Sequence, residues 1–375
     1  MPFQIDERTP DGDWVTEEGA EVLWDSPPRV FDDNDVLLLP AWLGAERLPR
    51  KRTLPSPTVL ELALHDPLGF PTRWFYVVVD SGSREKGARD TGAFVSYDPI
   101  EDRLTGRGVS LGFDGPVPQF LSFDDGPNVL DRLKIRASAR FFFGLVPVSR
   151  TEDHLVPSPP SWKAGPLRVV RTQRYAIRVG FRIRSPRFVS HVFFYPTYVE
   201  LPVGARFRVP PSFVFGDIAV RTSLDFRNLR GWWVSTPTGR LPVDCDSESS
   251  RTHLEPAVEW FAVEGPDRTL LVRAERSESL ARVRQSFFLR ATLEREDPEN
   301  VPGQCPEVGF LFSHWDDVDR GRHEIRAASY LLPRGADLGL FRATVENPLV
   351  AEVREMRASQ EAAAAASPVS QTMSR

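Results

Sequence analysis

Between Tyr175 and Arg184 the chain alternates: Tyr175, Ile177, Val179, Phe181 and Ile183 fall on one side of an extended backbone, and Arg178, Arg182 and Arg184 on the other. A period of two marks a strand with one face in a core and one in water. A slip of one residue would bury three arginines, so the register is well specified. The next segment, 188–201, is apolar on both sides. Val189, Phe193 and Val199 alternate with Phe188, Val192 and Phe194. That pattern predicts a strand covered on both faces, with a bulge or edge at Pro196. Further strands are predicted at 58–64, 74–79, 93–97, 108–113, 119–123, 135–148, 213–220, 231–236, 257–263, 269–274, 287–293, 308–313 and 324–332. Turn chemistry such as Asp114-Gly115, Asp125-Gly126-Pro127, Thr238-Gly239 and Gly265-Pro266-Asp267 separates them.

A helical period is absent until the C-terminus, and 34 prolines with 25 glycines suit strands and loops better than helices. The expected fold is therefore mainly β, an antiparallel β-sandwich. A large two-sheet sandwich occupies the C-terminal half, with a smaller N-terminal β region and a C-terminal helix. The expected organisation is an N-terminal β region at 1–155, a Pro-rich linker at 156–166 around Val156-Pro-Ser-Pro-Pro-Ser161, and the sandwich at 167–346. A helix at 347–366 and a disordered tail at 367–375 follow. Asn347 would cap that helix with Pro348 at its first position, and Leu349, Val350, Val353 and Met356 would form its apolar stripe.

Charge and composition narrow the function classes. The 375 residues carry 47 Lys+Arg against 52 Asp+Glu, a net charge of −5. That balance lacks the positive excess that phosphate neutralisation needs, so a nucleic-acid partner is not expected. No apolar run reaches the roughly 18 residues of a membrane-spanning helix. Lys51, Lys86, Lys134 and Lys163 are the only lysines, so nearly all positive charge is guanidinium. Cys245 and Cys305 either bridge, closing a loop of about 60 residues, or stay as two free thiols. The N-terminal residues lack the charged and apolar regions of a secretory signal. The expected compartment is the cytoplasm, or the periplasm or exterior if a signal has been removed.

The common signatures of nucleotide, zinc-protease, hydrolase and zinc-ribbon sites are absent, so no cofactor is expected. One constellation remains on the strands. His191 and Tyr195, four apart, would share a face, with Arg171, Arg174, Arg178 and Arg182 nearby. A phenol and an imidazole could move a proton beside a uronate carboxylate that the arginines neutralise, the chemistry of a polysaccharide lyase. The bland reading is a core-edge histidine and a charged wet face. His314 and Asp316 could begin a metal site, although the run to His323 also reads as a polar hairpin loop. Asp32-Asp33-Asn34-Asp35 offers carboxylates for calcium but lacks the remaining ligand pattern. Trp232 and Trp233 are adjacent and must face opposite ways in a strand, so one of them is free to stack on a sugar ring. Trp260 lies opposite Glu259 and Phe261 in the same way. Two functional readings follow: a glycan- or protein-binding or structural module, possible outside the cytoplasm; or a carbohydrate-active enzyme of the lyase type, with His191, Tyr195, Arg174 and Arg178 catalytic and Trp232, Trp233, Arg171 and Arg182 holding substrate. A third is an assembly component pairing through free edges.

Overall fold

The computed structural model describes residues 3–11, 13–20, 35–48, 58–79, 92–141, 146–178, 184–185, 188–245, 252–290 and 304–357. The chain divides into two compact units.

The larger unit, Phe3–Leu38 with Gly92–Ala336, is an antiparallel β-sandwich. Its large sheet runs, edge to edge, Gly239–Pro242, Trp233–Thr236, Trp260–Glu264, Arg268–Arg276, Gly321–Pro333, Tyr198–Phe207, Phe188–Phe194, Val169–Ile177, Ser161–Ala164 and Glu18–Gly19. A six-stranded sheet runs Val146–Thr151, Leu130–Phe141, Phe215–Arg227, Gln304–Ser313, Arg284–Arg290 and His253–Pro256. A four-stranded meander, from Ser96–Asp98 to Val117–Phe123, adds a third layer of side chains. Apolar residues of all three sheets meet in one core, where Leu104, Phe194, Val234, Phe261, Phe287 and Phe312 are at most 1% exposed. At roughly 25 cal/mol per Å² of apolar surface removed from water, such a core is the main stabilising term of the sandwich.

Alternation explains which face each strand buries. In the strand Tyr198–Phe207, Val199 and Leu201 turn to the core cluster, while Tyr198 and Glu200 face the other way. The strand Val169–Ile177 is buried on both faces even though Arg171, Thr172 and Gln173 are polar. Asp114 pairs with Val117 across a tight turn, and Gly115 there adopts φ +67°, a conformation that favours glycine.

Several expectations need correction. The segment 188–201 is not one strand with a bulge at Pro196, because Phe188–Phe194 and Tyr198–Phe207 pair antiparallel across a turn at 195–197, and the expected strand 135–148 is likewise two antiparallel strands, Leu130–Phe141 and Val146–Thr151. The alternating segment does not run straight from Tyr175 to Arg184. Its strand ends at Ile177, and Arg178 faces Arg184 in an antiparallel bridge. Arg182 lies outside the described residues. The stretch 156–166 is not a linker: Leu155–Pro157 and Ser161–Ala164 both pair with Val169–Ile177. Its prolines sit at the end of one short strand and before the next, where no ladder hydrogen bond is lost. The C-terminal helix spans Leu338–Glu346 rather than 347–366. Asp337 caps it, accepting from the Leu340 amide at 2.9 Å, and Asn347 ends it by donating through Nδ2 to the Ala343 carbonyl at 2.8 Å. Pro348 disfavours helical geometry at Asn347, and Val350–Arg357 forms a strand. Residues 358–366 and the expected tail lie outside the described residues.

Cys245 and Cys305 form a disulfide, with Cα atoms 5.9 Å apart, and both are buried in the core.

The smaller unit contains Leu39–Thr91 and Asp337–Arg375. Its three-stranded sheet places Thr58–His65 between Arg73–Val79 and Val350–Arg357. Arg47 closes on the buried Glu61 at 2.8 Å, Tyr76 donates to the same carboxylate at 3.0 Å, and the Arg47 guanidinium lies 4.5 Å over the Trp74 ring. Among the described residues no helix is long and apolar enough to cross a membrane.

Candidate functional site

Two polar clusters occupy the side of the large sheet that turns away from the core. The first joins the middle strands. Tyr198 and Tyr330 are direct register partners, with ring centroids 5.5 Å apart. The Tyr195 amide donates to the Tyr198 carbonyl at 2.9 Å, and this tight connection lays the two rings parallel at 4.1 Å. Arg168 donates through Nη1 to the Tyr195 hydroxyl at 2.8 Å and grips the buried Asp6 carboxylate. Its guanidinium lies within 4.7–5.5 Å of the Trp14, Phe193 and Tyr195 rings. Gln4 completes the clasp: its Nε2 donates to Asp6 at 2.8 Å, and its Oε1 accepts the Leu167 and Arg168 amides. The first residues of the chain are thereby fastened to the sheet. Next to this row, burial raises the Glu200 carboxyl above its ordinary range; Arg326 and Arg168 oppose the shift and Glu275 adds to it.

The residues expected to act as a lyase are divided. His191, Tyr195 and Arg174 do share this face. His191 and Tyr195, however, are four residues apart with Phe193 between them, a spacing of about 13 Å. The His191 Nδ1 is 3.0 Å from the Thr172 hydroxyl, and its ring stacks on Phe193 with centroids at 5.8 Å. Burial lowers its pKa to about 4, so the imidazole is neutral at pH 7; Asp13 opposes the shift, and Arg8 and Arg174 assist it. Arg171 points the other way, into the core, where it holds Asp102. Arg178 sits at the strand end, its amide donating to the His154 carbonyl at 2.8 Å.

The metal expectation is not supported. His314 has φ +62°, which breaks the alternation that would have placed it beside Asp316 on one face. Among the described residues no three His, Cys, Asp or Glu side chains converge as ligands. Of the acidic run near the N-terminus, Asp32, Asp33 and Asn34 lie outside the described residues, and Asp35 accepts from the Arg8 amide.

The second cluster lies at the edge of the large sheet and contains both expected tryptophans. A cavity of about 450 Å³ is lined by Trp232, Trp233, Arg230, Arg240, Glu264 and Arg334, among others. The two indoles do face opposite ways. Trp232 packs against the core cluster, and its ring fills the space beside Gly265 that any Cβ would need. Trp233 is 38% exposed. The Arg240 guanidinium lies 4.5 Å over the Trp233 ring and donates to Glu264 at 2.8 Å. The Ser235 hydroxyl donates to the other Glu264 oxygen. Register explains the grouping, because Trp233 pairs with Glu264 and Ser235 pairs with Arg240. Sequence reasoning found the tryptophans and missed Arg240 and Glu264. The only signal for the carboxylate was its position just before the Gly265-Pro266-Asp267 turn.

No family model and no curated protein matches the chain. Among solved structures, the chain is similar to an alpha-mannosidase from Enterococcus faecalis V583, with a TM-score of 0.46 and 8% identity over 81% of this chain. The alignment spans 39% of that protein's length. It is also similar to a candidate aldose 1-epimerase from Escherichia coli K12, with a TM-score of 0.36 and 6% identity, covering 64% of this chain and 98% of that one.

Proposed function

We propose that the protein binds a glycan in the cavity beside Trp232 and Trp233. The observation that carries this reading is the partly exposed Trp233 ring set next to a guanidinium and a carboxylate in one concave site. A sugar ring presents a C–H face that packs on an indole, and hydroxyls that a carboxylate accepts from and a guanidinium donates to. Its volume of about 450 Å³ falls in the range of small-molecule sites, roughly 300–1,000 Å³. Arg230, Arg240 and Arg334 outnumber the single Glu264 in the lining, which suits a sugar bearing a carboxylate or sulfate. The Cys245–Cys305 disulfide supports an oxidising compartment, where extracellular glycans are met.

Binding is favoured over elimination on geometry. A lyase needs one group to take the proton beside the carboxylate and the other to protonate the leaving oxygen on the adjacent carbon, and the strand spacing separates Tyr195 from His191 by about 13 Å. The Tyr195 hydroxyl is also already engaged by Arg168.

An array of neutral, uronate-containing and sulfated oligosaccharides tests the reading. Retention of an acidic glycan, weakened at least tenfold by Trp233→Ala with an unchanged melting temperature, is expected. An array that retains nothing, or a Trp233→Ala protein that binds as tightly as the parent, overturns it.

A further inference from the structure

Where the two large sheets of the sandwich face each other, the core is not filled. A cavity of about 190 Å³ is lined by Tyr175, Phe188, Leu201, Val203, Ile325 and Ala327 from the large sheet. The six-stranded sheet supplies Leu133, Ile135, Val220 and Phe312, and the meander adds Phe113 and Val117. Protein interiors are packed as densely as organic crystals, with few voids larger than a water molecule. Water is a poor occupant, because an ordered water needs two to four polar partners. The lining offers the hydroxyls of Ser190 and Thr222 and little else. The Tyr175 hydroxyl is committed elsewhere, to Gln173 Oε1 at 2.7 Å and the Pro116 carbonyl at 3.0 Å.

The shape of the space identifies the occupant. A second apolar void of about 50 Å³ adjoins the first, sharing Pro118, Leu133 and Leu201 in its walls. Along the strand Gly321–Pro333 the inward side chains Ile325 and Ala327 border the larger void, and Ser329 and Leu331 the smaller one. Six residues of strand, about 20 Å, separate Ile325 from Leu331. The two voids thus follow one another along the strand, and the apolar space between the sheets forms a slot that extends lengthwise. One end reaches the surface, since Val203 in its wall is 43% exposed.

We infer that this slot is a binding site for a medium-length acyl chain, entering between the two sheets at the end bordered by Val203, with its polar head left in solvent. The inference is independent of the glycan reading, because it uses a different cavity and different residues.

Calorimetric titration of the intact protein with octanoate, decanoate and dodecanoate below their micelle thresholds tests it. Saturable binding that tightens about fifteenfold for each two-carbon step is expected, from the transfer free energy of a methylene. Two variants that fill the slot from two different strands, Ala327→Leu and Ser190→Leu, each weaken dodecanoate binding at least tenfold and hold or raise the melting temperature. Trp233→Ala leaves acyl binding unchanged. No saturable heat, an affinity indifferent to chain length, or filled variants that bind like the parent each overturn the inference. Should one variant fail to fold, the other and the chain-length series still decide.

Discussion

Arg171, on the large sheet, and Asp102, in the turn that precedes Arg103–Thr105 of the meander, form a two-pronged ion pair, Nε at 2.8 Å and Nη2 at 2.6 Å from the two carboxylate oxygens. The Tyr97 hydroxyl donates to the same carboxylate at 2.7 Å, and the guanidinium also packs 4.0 Å over the Phe113 ring. An arginine that its place near His191 and Tyr195 suggested for substrate is thus enclosed, its side chain 1% exposed.

Arg171→Ala strands the Asp102 carboxylate and the Phe113 ring face. Urea denaturation is expected to show a loss of about 3 kcal/mol, the lower end for a broken buried pair, since Asp102 keeps some access to water. Arg171→Lys rescues little, because an ammonium cannot reproduce the fork. Glycan binding by the folded fraction of either variant is unchanged, and a lost affinity there would show that Arg171 has a role beyond the core.

Arg240→Ala acts in the reverse manner. The Arg240–Glu264 pair is half exposed on the arginine side, so its removal changes stability by less than about 1 kcal/mol. Glycan affinity in titration is expected to fall at least tenfold, since both the stacked cation and the orientation of Glu264 are lost. An unaltered affinity places the ligand elsewhere.

The depressed pKa of His191 makes stability depend on pH in a defined direction. The folded imidazole takes its proton near pH 4 and the unfolded one near 6.5, so the unfolded chain binds more protons between those values. The contribution is complete above pH 6.5 and drains away as pH falls toward 4, by at most about 3 kcal/mol. His191→Gln, with a neutral side chain at all pH values, flattens this part of the stability–pH curve. A curve of identical slope in the variant would assign the acid sensitivity to other groups.

The disulfide closes a loop of 60 residues, for which the chain-entropy treatment gives about 4 kcal/mol. The double variant Cys245→Ala, Cys305→Ala is expected to shift the urea midpoint downward by a corresponding amount. Reducing agent has the same effect on the parent and none on the variant. Equal midpoints with and without reductant in the parent would contradict the bridge.

Much of the sandwich was legible because alternation is a local property. Tyr175 and Ile177 can be set on one face of their strand without knowing any partner strand. The same rule set the two tryptophans on opposite faces. What the rule cannot supply is register between distant strands, and the site depends on it. Glu264 reaches Trp233 and Arg240 only because the strands holding them are laid side by side. His191 and Tyr195 show the limit from the other side: parity put them on one face correctly, but a shared face is not proximity. The C-terminal segment failed for a third reason. A helix over 347–366 and the strand Val350–Arg357 draw on the same short apolar set, and an unpaired edge of Thr58–His65, far away in sequence, decides between them.

That edge has a bearing on how the protein is made. Val350 pairs with His65, and Arg357 with Thr58, so the middle strand of the small sheet gains its second neighbour only after residues 350–357 have been synthesised, about 290 positions later. Residues 92–336 are complete well before then and can collapse into the sandwich first. Until the last strand arrives, one flank of Thr58–His65 offers its unmatched amides and carbonyls to any passing chain. Protein truncated ahead of residue 350 should therefore precipitate or be degraded during synthesis, even though its sandwich is whole.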